Sequence, residues 1–406
     1  MSTHELLARL KQPAPGKIVL LVLDGLGDLR TAEQPATPLD RATIPNLDAL
    51  AARSSLGRLI PLAPGITTGS GPGHLALFGY DPLTPEADIG RGVLEALGED
   101  IELGRDDVAA RGNFATVDAE GRLTDRRAGR IETSECERLI DKLRQKLAAE
   151  LEDEGIELYP GEGHRFVLVL RGEGISPAIA DTDPQELGVP PFDPEPTSEA
   201  AVSTADKLKR FIAAAGDALE DEERANAVLL RGFSQLPALP PMSELYGLSC
   251  GAFAGYPLYR GVARACGMTA FNPGKSFRDT VQDAANHWED FDFLFLHHKA
   301  TDKAGEDGDP EAKARAIEEV DHGLPELLDL GPEVLAITGD HSTPAPMKAH
   351  SFHPVPLLLH SPTAFVDECR VFTESEATRG TLGTLLSRDL MSLLLAHCGR
   401  LKKFGA

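Results

Sequence analysis

The chain has 406 residues, more than the roughly 250–300 that one hydrophobic core sustains, so two domains are expected; 42% hydrophobic and 26% charged residues exclude extensive disorder. Forty Lys and Arg against 64 Asp and Glu leave a net charge of −24, which argues against non-specific binding to nucleic acid or an anionic membrane. An anionic small substrate would need local arginines or metal ions for its positive contacts.

The start, Met1 to Gly16, is polar and proline-containing, with no pattern of a secretory signal. A strand is expected over Lys17–Leu23, too short to span a membrane, and it runs straight into Asp24-Gly-Leu-Gly-Asp28. Pro45 opens a helix over Asn46–Arg53. The segment Pro64-Gly-Ile-Thr-Thr-Gly-Ser-Gly-Pro-Gly-His74 then offers Ser70, with Thr67 and Thr68 as competing hydroxyls. Its glycines let the backbone come close to a phosphate, and the helical pattern from about His74 puts Ser70 near a helix N-terminus, which favours anions.

From about Ile101 to Leu239 the chain changes character, with Gly- and Pro-rich breaks such as Val189-Pro-Pro-Phe-Asp-Pro-Glu-Pro196. Amphipathic helices are expected at about Ser134–Glu152 and Ser198–Ala215, and a strand at Phe166–Leu170, together a smaller inserted α+β domain. Arg111, Arg122, Arg126, Arg127 and Arg130 concentrate here, and Arg126-Arg127 with Arg130 can form a fork for phosphate or carboxylate. Strands return at Phe291–Leu296, running into His297-His298-Lys299-Ala-Thr-Asp302, at Val334–Thr338, running into Gly339-Asp340-His341, and at Val355–Leu359. Between them Asp309-Pro310 opens a helix to about Leu330. Strands alternating with helices imply an α/β domain with a largely parallel sheet. The cysteines Cys136, Cys250, Cys266, Cys369 and Cys398 are scattered without a CxxC pair, which points to free thiols in a reducing cytoplasm.

Ligands of such sheets bind beyond the carboxyl ends of the strands. Asp24, Asp302, Asp340, His341 and His350 all fall at or just after those ends, and carboxylates with imidazoles suit Mn²⁺ or Zn²⁺, with Mg²⁺ possible. A serine hydroxyl is a poor nucleophile at neutral pH unless something activates it, and metal coordination is one way.

The assembled motifs resemble those of the archaeal-type, cofactor-independent phosphoglycerate mutases of the alkaline phosphatase superfamily. The matching pieces are Leu23-Asp-Gly-Leu-Gly-Asp28, Thr43-Ile-Pro-Asn-Leu-Asp48, Gly69-Ser70 with His74, and Gly90-Arg-Gly-Val-Leu-Glu-Ala-Leu-Gly98. Further on come Arg111-Gly-Asn-Phe-Ala-Thr-Val117, Asp125-Arg-Arg-Ala-Gly-Arg130, Lys299-Ala-Thr-Asp302, Gly339-Asp-His-Ser-Thr-Pro344, and His350-Ser with Pro354-Val-Pro356. The resemblance spans nearly the whole chain in order. It implies an alkaline-phosphatase-like metal domain, 1–103 and 245–406, interrupted by a substrate-covering α+β domain, 104–244.

The resemblance also implies roles. Asp24, Ser70, Asp340 and His341 would hold one divalent ion and Asp302 with His350 a second, with Ser70 also the nucleophile. Glu306 stands where a family histidine is usual, and its oxygen tilts preference toward Mn²⁺ or Mg²⁺ over Zn²⁺. Gly71 follows the serine where an acidic residue is frequent, and Arg260 replaces a common lysine. Arg91, Arg111, Arg126, Arg127, Arg130 and Arg260 would bind substrate. The implied reaction interconverts 3-phosphoglycerate and 2-phosphoglycerate through a phosphoserine, without 2,3-bisphosphoglycerate. The rival readings are a phosphomonoesterase, a mutase of another phosphorylated or phosphonate metabolite, and a non-catalytic binder of a phospho-metabolite. No oligomeric state is implied.

Overall fold

The structure, a computed structural model, describes residues 3–87, 89–274 and 276–405. The chain parts into two compact units, Met1–Asp88 with Ala238–Ala406, and Ile89–Pro237. The first holds strands β1 (Ile18–Leu23) and β2 (Ser55–Ile60). The second holds β3 (Val108–Val117), β4 (Leu123–Asp125), β5 (Ile156–Pro160), β6 (Arg165–Leu170) and β7 (Ala227–Ser234). The first unit then resumes with β8 (Cys250–Phe253), β9 (Thr269–Phe271), β10 (Phe293–His298), β11 (Val334–Thr338), β12 (Val355–His360) and β13 (Gly383–Leu386).

An eight-stranded sheet organises the first unit in the order β13-β2-β12-β11-β1-β10-β8-β9. The run from β11 to β9 is parallel, and β12 lies antiparallel to both its neighbours. β1 is Ile-Val-Leu-Leu-Val-Leu, buried throughout, because helices cover both faces of such a sheet and an unbroken apolar run satisfies both. Its core includes Val19, Leu21, Leu294, Leu335 and Ile337, packed against Ile317, Val320 and Leu324 of the helix Pro310–Asp329.

Register decides where the polar residues meet. Leu23 pairs with His298 and Val22 with Thr338, so β1, β10 and β11 end almost flush. Asp24, Lys299 and Gly339-Asp340 therefore leave the sheet at one edge. β10 runs two residues later than the apolar pattern suggests: His297 and His298 lie inside the strand and are buried, because β1 pairs with them through Val22 and Leu23.

The second unit is an antiparallel sheet, β4-β3-β6-β5 with β7 on the other side of β3. The helices Thr133–Lys146 and Val202–Ala218 cover it, with Leu139, Leu143, Leu208 and Phe211 meeting Phe114 and Leu168. The stretch expected as one helix from Ser134 breaks at Leu147 and restarts as Ala148–Glu154. The helix Arg91–Gly98 belongs to this unit because Val93 and Ala96 pack on Ala109, Val167 and Val169.

Candidate active site

The loop after β1 makes the first wall. Asp24 N donates to His298 O (3.0 Å), and Gly25 N donates to Asp340 Oδ1 (3.1 Å). Gly25 has φ +63°, and a Cβ there would lie 2.5 Å from Thr343 Oγ1 and 2.7 Å from Asp302 Oδ1, so side chains from the other strand ends fill the space a larger residue would need. A buried lysine ties the loops together from behind. Lys313 Nζ donates to Gly27 O (3.1 Å), Thr343 O (2.9 Å) and Asp28 Oδ2 (3.0 Å).

Ser70 opens the helix Ser70–Leu77, and its Oγ lies 3.2 Å from His341 Nε2. One turn on, His74 Nδ1 donates to Ser70 O (2.8 Å) and lies 3.2 Å from Asp340 Oδ2. Gly73 permits this contact: a Cβ would sit 2.7 Å from Asp340 O.

Two groups of potential ligands result. Asp24, Asp340 and His341 each bring one ligand atom within 4.8 Å of the others, as do Asp302, His341 and His350. His341 is common to both. Its Nδ1 lies 3.0 Å from Thr343 Oγ1, and that hydroxyl donates to Asp302 Oδ1 (2.5 Å), so it accepts from the imidazole and leaves Nε2 with its lone pair. His350 is set the same way, with Nδ1 donating to Thr68 O (2.9 Å) and Nε2 3.7 Å from Asp302 Oδ1. The two rings stack at 3.7 Å. Glu306 stays outside both groups: its side chain is 53% exposed and its Oε1 is 3.8 Å from His350 Nε2.

The buried carboxylates are poised as anions. Burial and Asp340 push Asp24 up, but His297 and Lys299 outweigh them and hold its carboxyl below the ordinary range. Burial likewise opposes ionisation of Asp340, and His341, His74 and Gly25 N–H overcome it. Burial drives His297 down to about 4 even though Asp24 accepts from its Nε2 at 3.1 Å, so it is neutral at pH 7, stacked on Tyr259 at 3.7 Å. Asp24 Oδ1 and Asp340 Oδ2 are buried without a hydrogen-bond partner among the described residues. Unpartnered anionic oxygens beside imidazole lone pairs are what a divalent cation would satisfy, and the oxygen–nitrogen donor set fits Mn²⁺, Mg²⁺ or Zn²⁺.

The arginines divide between the units. Arg260, in the first, is buried and donates through Nη1 to Ala254 O (3.2 Å) and Gly255 O (3.1 Å) beyond β8. In the second, β3 pairing sets Arg111 opposite Arg231 and Asn113 opposite Arg165. Burial, then Arg165, Arg91 and Arg231, push Arg111 down to about 10 against the pull of Glu95 at 3.2 Å. His164 falls to about 4 through burial and then Arg165, Arg111 and Arg127. Arg91, Arg111, Arg127, Arg165 and Arg231 thus share one field with a neutral imidazole. Arg126 is forked onto Asp183 by two bonds of 2.7 Å, and Arg130 is exposed. Sequence reading missed Arg165, Arg231 and His164, and left His297, Lys299 and Thr343 without a role. The only signal for the first two was an arginine among strand residues, which becomes meaningful once β3, β6 and β7 are paired.

A family model described as 2,3-bisphosphoglycerate-independent phosphoglycerate mutase matches residues 51–225. A probable 2,3-bisphosphoglycerate-independent phosphoglycerate mutase of Thermotoga neapolitana is 49% identical over 390 residues, 96% of each chain. One of Thermus thermophilus is 47% identical over 409 residues, covering 100% of both. Among solved structures, the cofactor-independent phosphoglycerate mutase of Thermoplasma acidophilum superposes with a TM-score of 0.73 at 30% identity, over 95% of this chain and 100% of that one. The PH0037 protein of Pyrococcus horikoshii does so with a TM-score of 0.82 at 31% identity, over 98% and 100%.

Proposed function

The chain belongs to the 2,3-bisphosphoglycerate-independent phosphoglycerate mutases, isomerases that move a phosphoryl group within phosphoglycerate, and on that premise we propose that it does so through Ser70 at a two-metal centre. Asp24, Asp340 and His341 hold one divalent ion beside the Ser70 hydroxyl, and Asp302 with His350 holds the second, with Glu306 at its rim. Such ions, when bound, lower the pKa of a coordinated hydroxyl and offset charge on phosphoryl oxygens. Mn²⁺ is the preferred occupant, with Mg²⁺ or Zn²⁺ as alternatives, since carboxylates and imidazoles supply the donors and no thiolate does.

Ser70 Oγ attacks phosphorus as the substrate's P–O bond breaks, and the seryl proton ends on the departing oxygen, leaving phosphoserine and glycerate. Glycerate turns and its other hydroxyl takes the phosphoryl group back, which restores Ser70. The helix N-terminus at Ser70 favours the anion throughout. We assign the glycerate carboxylate to the arginine group around Arg111, with Arg91 and Arg127, and add Arg165 and Arg231 to it. Arg126 supports that group through Asp183, which Arg231 also approaches at 3.3 Å. Arg260 serves by fixing the turn beyond β8. Among the described residues no helix is long and apolar enough to cross a membrane, and five buried, unpaired cysteines fit a reducing cytoplasm.

The observation that carries this reading is the Ser70 hydroxyl 3.2 Å from an imidazole nitrogen that also faces Asp24 Oδ1 at 3.4 Å and Asp340 Oδ2 at 3.2 Å. The Mn²⁺-loaded enzyme given 3-phosphoglycerate should yield 2-phosphoglycerate; free phosphate in its place would mark a phosphomonoesterase. Ser70→Ala should lower turnover by a factor on the order of 10³ or more and abolish phosphoenzyme labelling without loss of fold. Label retained on that variant would reject Ser70 as the nucleophile.

A further inference from the structure

The three buried carboxylates share one habit: each has one oxygen claimed on its outer side by a nitrogen donor of the protein and turns the other toward the imidazoles. Asp340 Oδ1 accepts from Gly25 N at 3.1 Å, while Oδ2 faces His341 Nε2 at 3.2 Å. Asp24 Oδ2 accepts from His297 Nε2 (3.1 Å) and Lys299 Nζ (3.2 Å), while Oδ1 faces His341 at 3.4 Å. Asp302 Oδ2 accepts from Lys299 Nζ (2.5 Å), while Oδ1, which also accepts from Thr343 Oγ1 (2.5 Å), faces His350 at 3.7 Å. One ammonium therefore joins a carboxylate of each ligand group. It is held in place between them, over the Tyr259 ring at 5.5 Å, with its side chain 31% exposed.

We propose that Lys299 is a positioning residue that confines Asp24 and Asp302 to single-oxygen presentation and so makes the centre select small divalent ions over Ca²⁺. Ca²⁺ takes about six to eight oxygens and draws heavily on carboxylates that bind through both. Carboxylates limited to one oxygen each, with imidazoles as the remaining donors, suit ions that accept fewer ligands and nitrogen. Asp302 depends most on the lysine, since among the described residues Lys299 is the one hydrogen-bond donor to its Oδ2, whereas Asp24 Oδ2 keeps His297. With Lys299 gone, Asp302 keeps the Thr343 hydroxyl on Oδ1, and its Oδ2 is free to turn inward beside it.

The inference rests on the reading of this site as a metal centre, and the two fail separately. Calorimetric titration of the metal-free full chain with MnCl₂ and with CaCl₂ measures both. Wild-type protein that takes up no Mn²⁺ ends the metal reading itself. If it binds Mn²⁺, Lys299→Met should lower the ratio of Mn²⁺ to Ca²⁺ affinity by about tenfold or more, the range expected when a partner that orients a ligand is removed. Lys299→Arg, which keeps two donors and the charge, should recover most of that ratio. A ratio within about twofold of wild type in folded Lys299→Met overturns the proposal, because tenfold is the smallest effect expected of such a partner. So does a parallel rise in both affinities, which would mean that the ammonium only repels cations. Circular dichroism checks the fold; should the Met variant not fold, Lys299→Gln, whose amide can serve one carboxylate at a time, is read by the same ratio.

Discussion

His164 is buried among arginines, and the consequence is a pH dependence with a definite sign. Burial, then Arg165, Arg111 and Arg127, hold its imidazole at about 4 in the folded chain against 6.5 ordinarily. As pH falls, the unfolded chain therefore takes up a proton that the folded chain refuses, so this contribution to stability is complete above about pH 6.5 and is lost as pH falls toward 4. His164→Gln should unfold in urea with a shallower loss of stability between those values than wild type. An unchanged slope would mean that His164 is not the group responsible. Arg165 beside His164 is visible in the sequence, but the rest of the field is not, because Arg111 and Arg127 reach it only once the chain has folded. Ser70, Asp24, Asp340 and His341 could be picked out in advance, since each is a polar residue that ends an apolar run or sits among glycines, and that contrast is visible in neighbouring letters.

At the scale of elements, the helix Ser70–Leu77 is positioned by what it lacks. Gly73 faces the backbone of Asp340, and an added Cβ would meet that carbonyl oxygen at 2.7 Å. Gly73→Ala must push the helix or the Asp340 loop aside, at about 1–3 kcal/mol of stability, and should weaken Mn²⁺ binding in calorimetry. Gly69→Ala, with nothing within 4 Å of the new methyl group, should bind Mn²⁺ as wild type does. Equal loss in both would place the cause in the glycines' flexibility instead of the contact. The strands β1, β11 and β12 follow the apolar runs closely, because a strand buried on both faces must be apolar throughout. β10 does not, because its last two residues answer to tertiary surroundings: His297 donates to Asp24, and burial pushes the His298 imidazole below its ordinary pKa.

For the whole molecule, two units with separate cores predict two unfolding transitions. Every proposed metal ligand lies in the first unit, so Mn²⁺ should raise that transition alone, by about 2.7 kcal/mol of stability at a hundredfold excess over Kd. Leu143→Ala, in the core of the second unit, should cost about 2–5 kcal/mol and lower the other transition, which identifies it in a scanning calorimeter. A Mn²⁺ shift of both transitions, or of neither, would count against this assignment. The sequence by itself determined the α/β sheet, the inserted segment and the acidic and imidazole residues at the strand ends, because apolar runs, breaks and polar stops are local properties of a chain. Only the tertiary structure decided that His341 serves both ligand groups, that Lys299 joins Asp24 to Asp302, and that Arg126 turns to Asp183 while Arg111 meets Arg231. Those partners come from segments far apart in the chain, and strand register and packing alone select which of many possible polar atoms end within a hydrogen bond of one another.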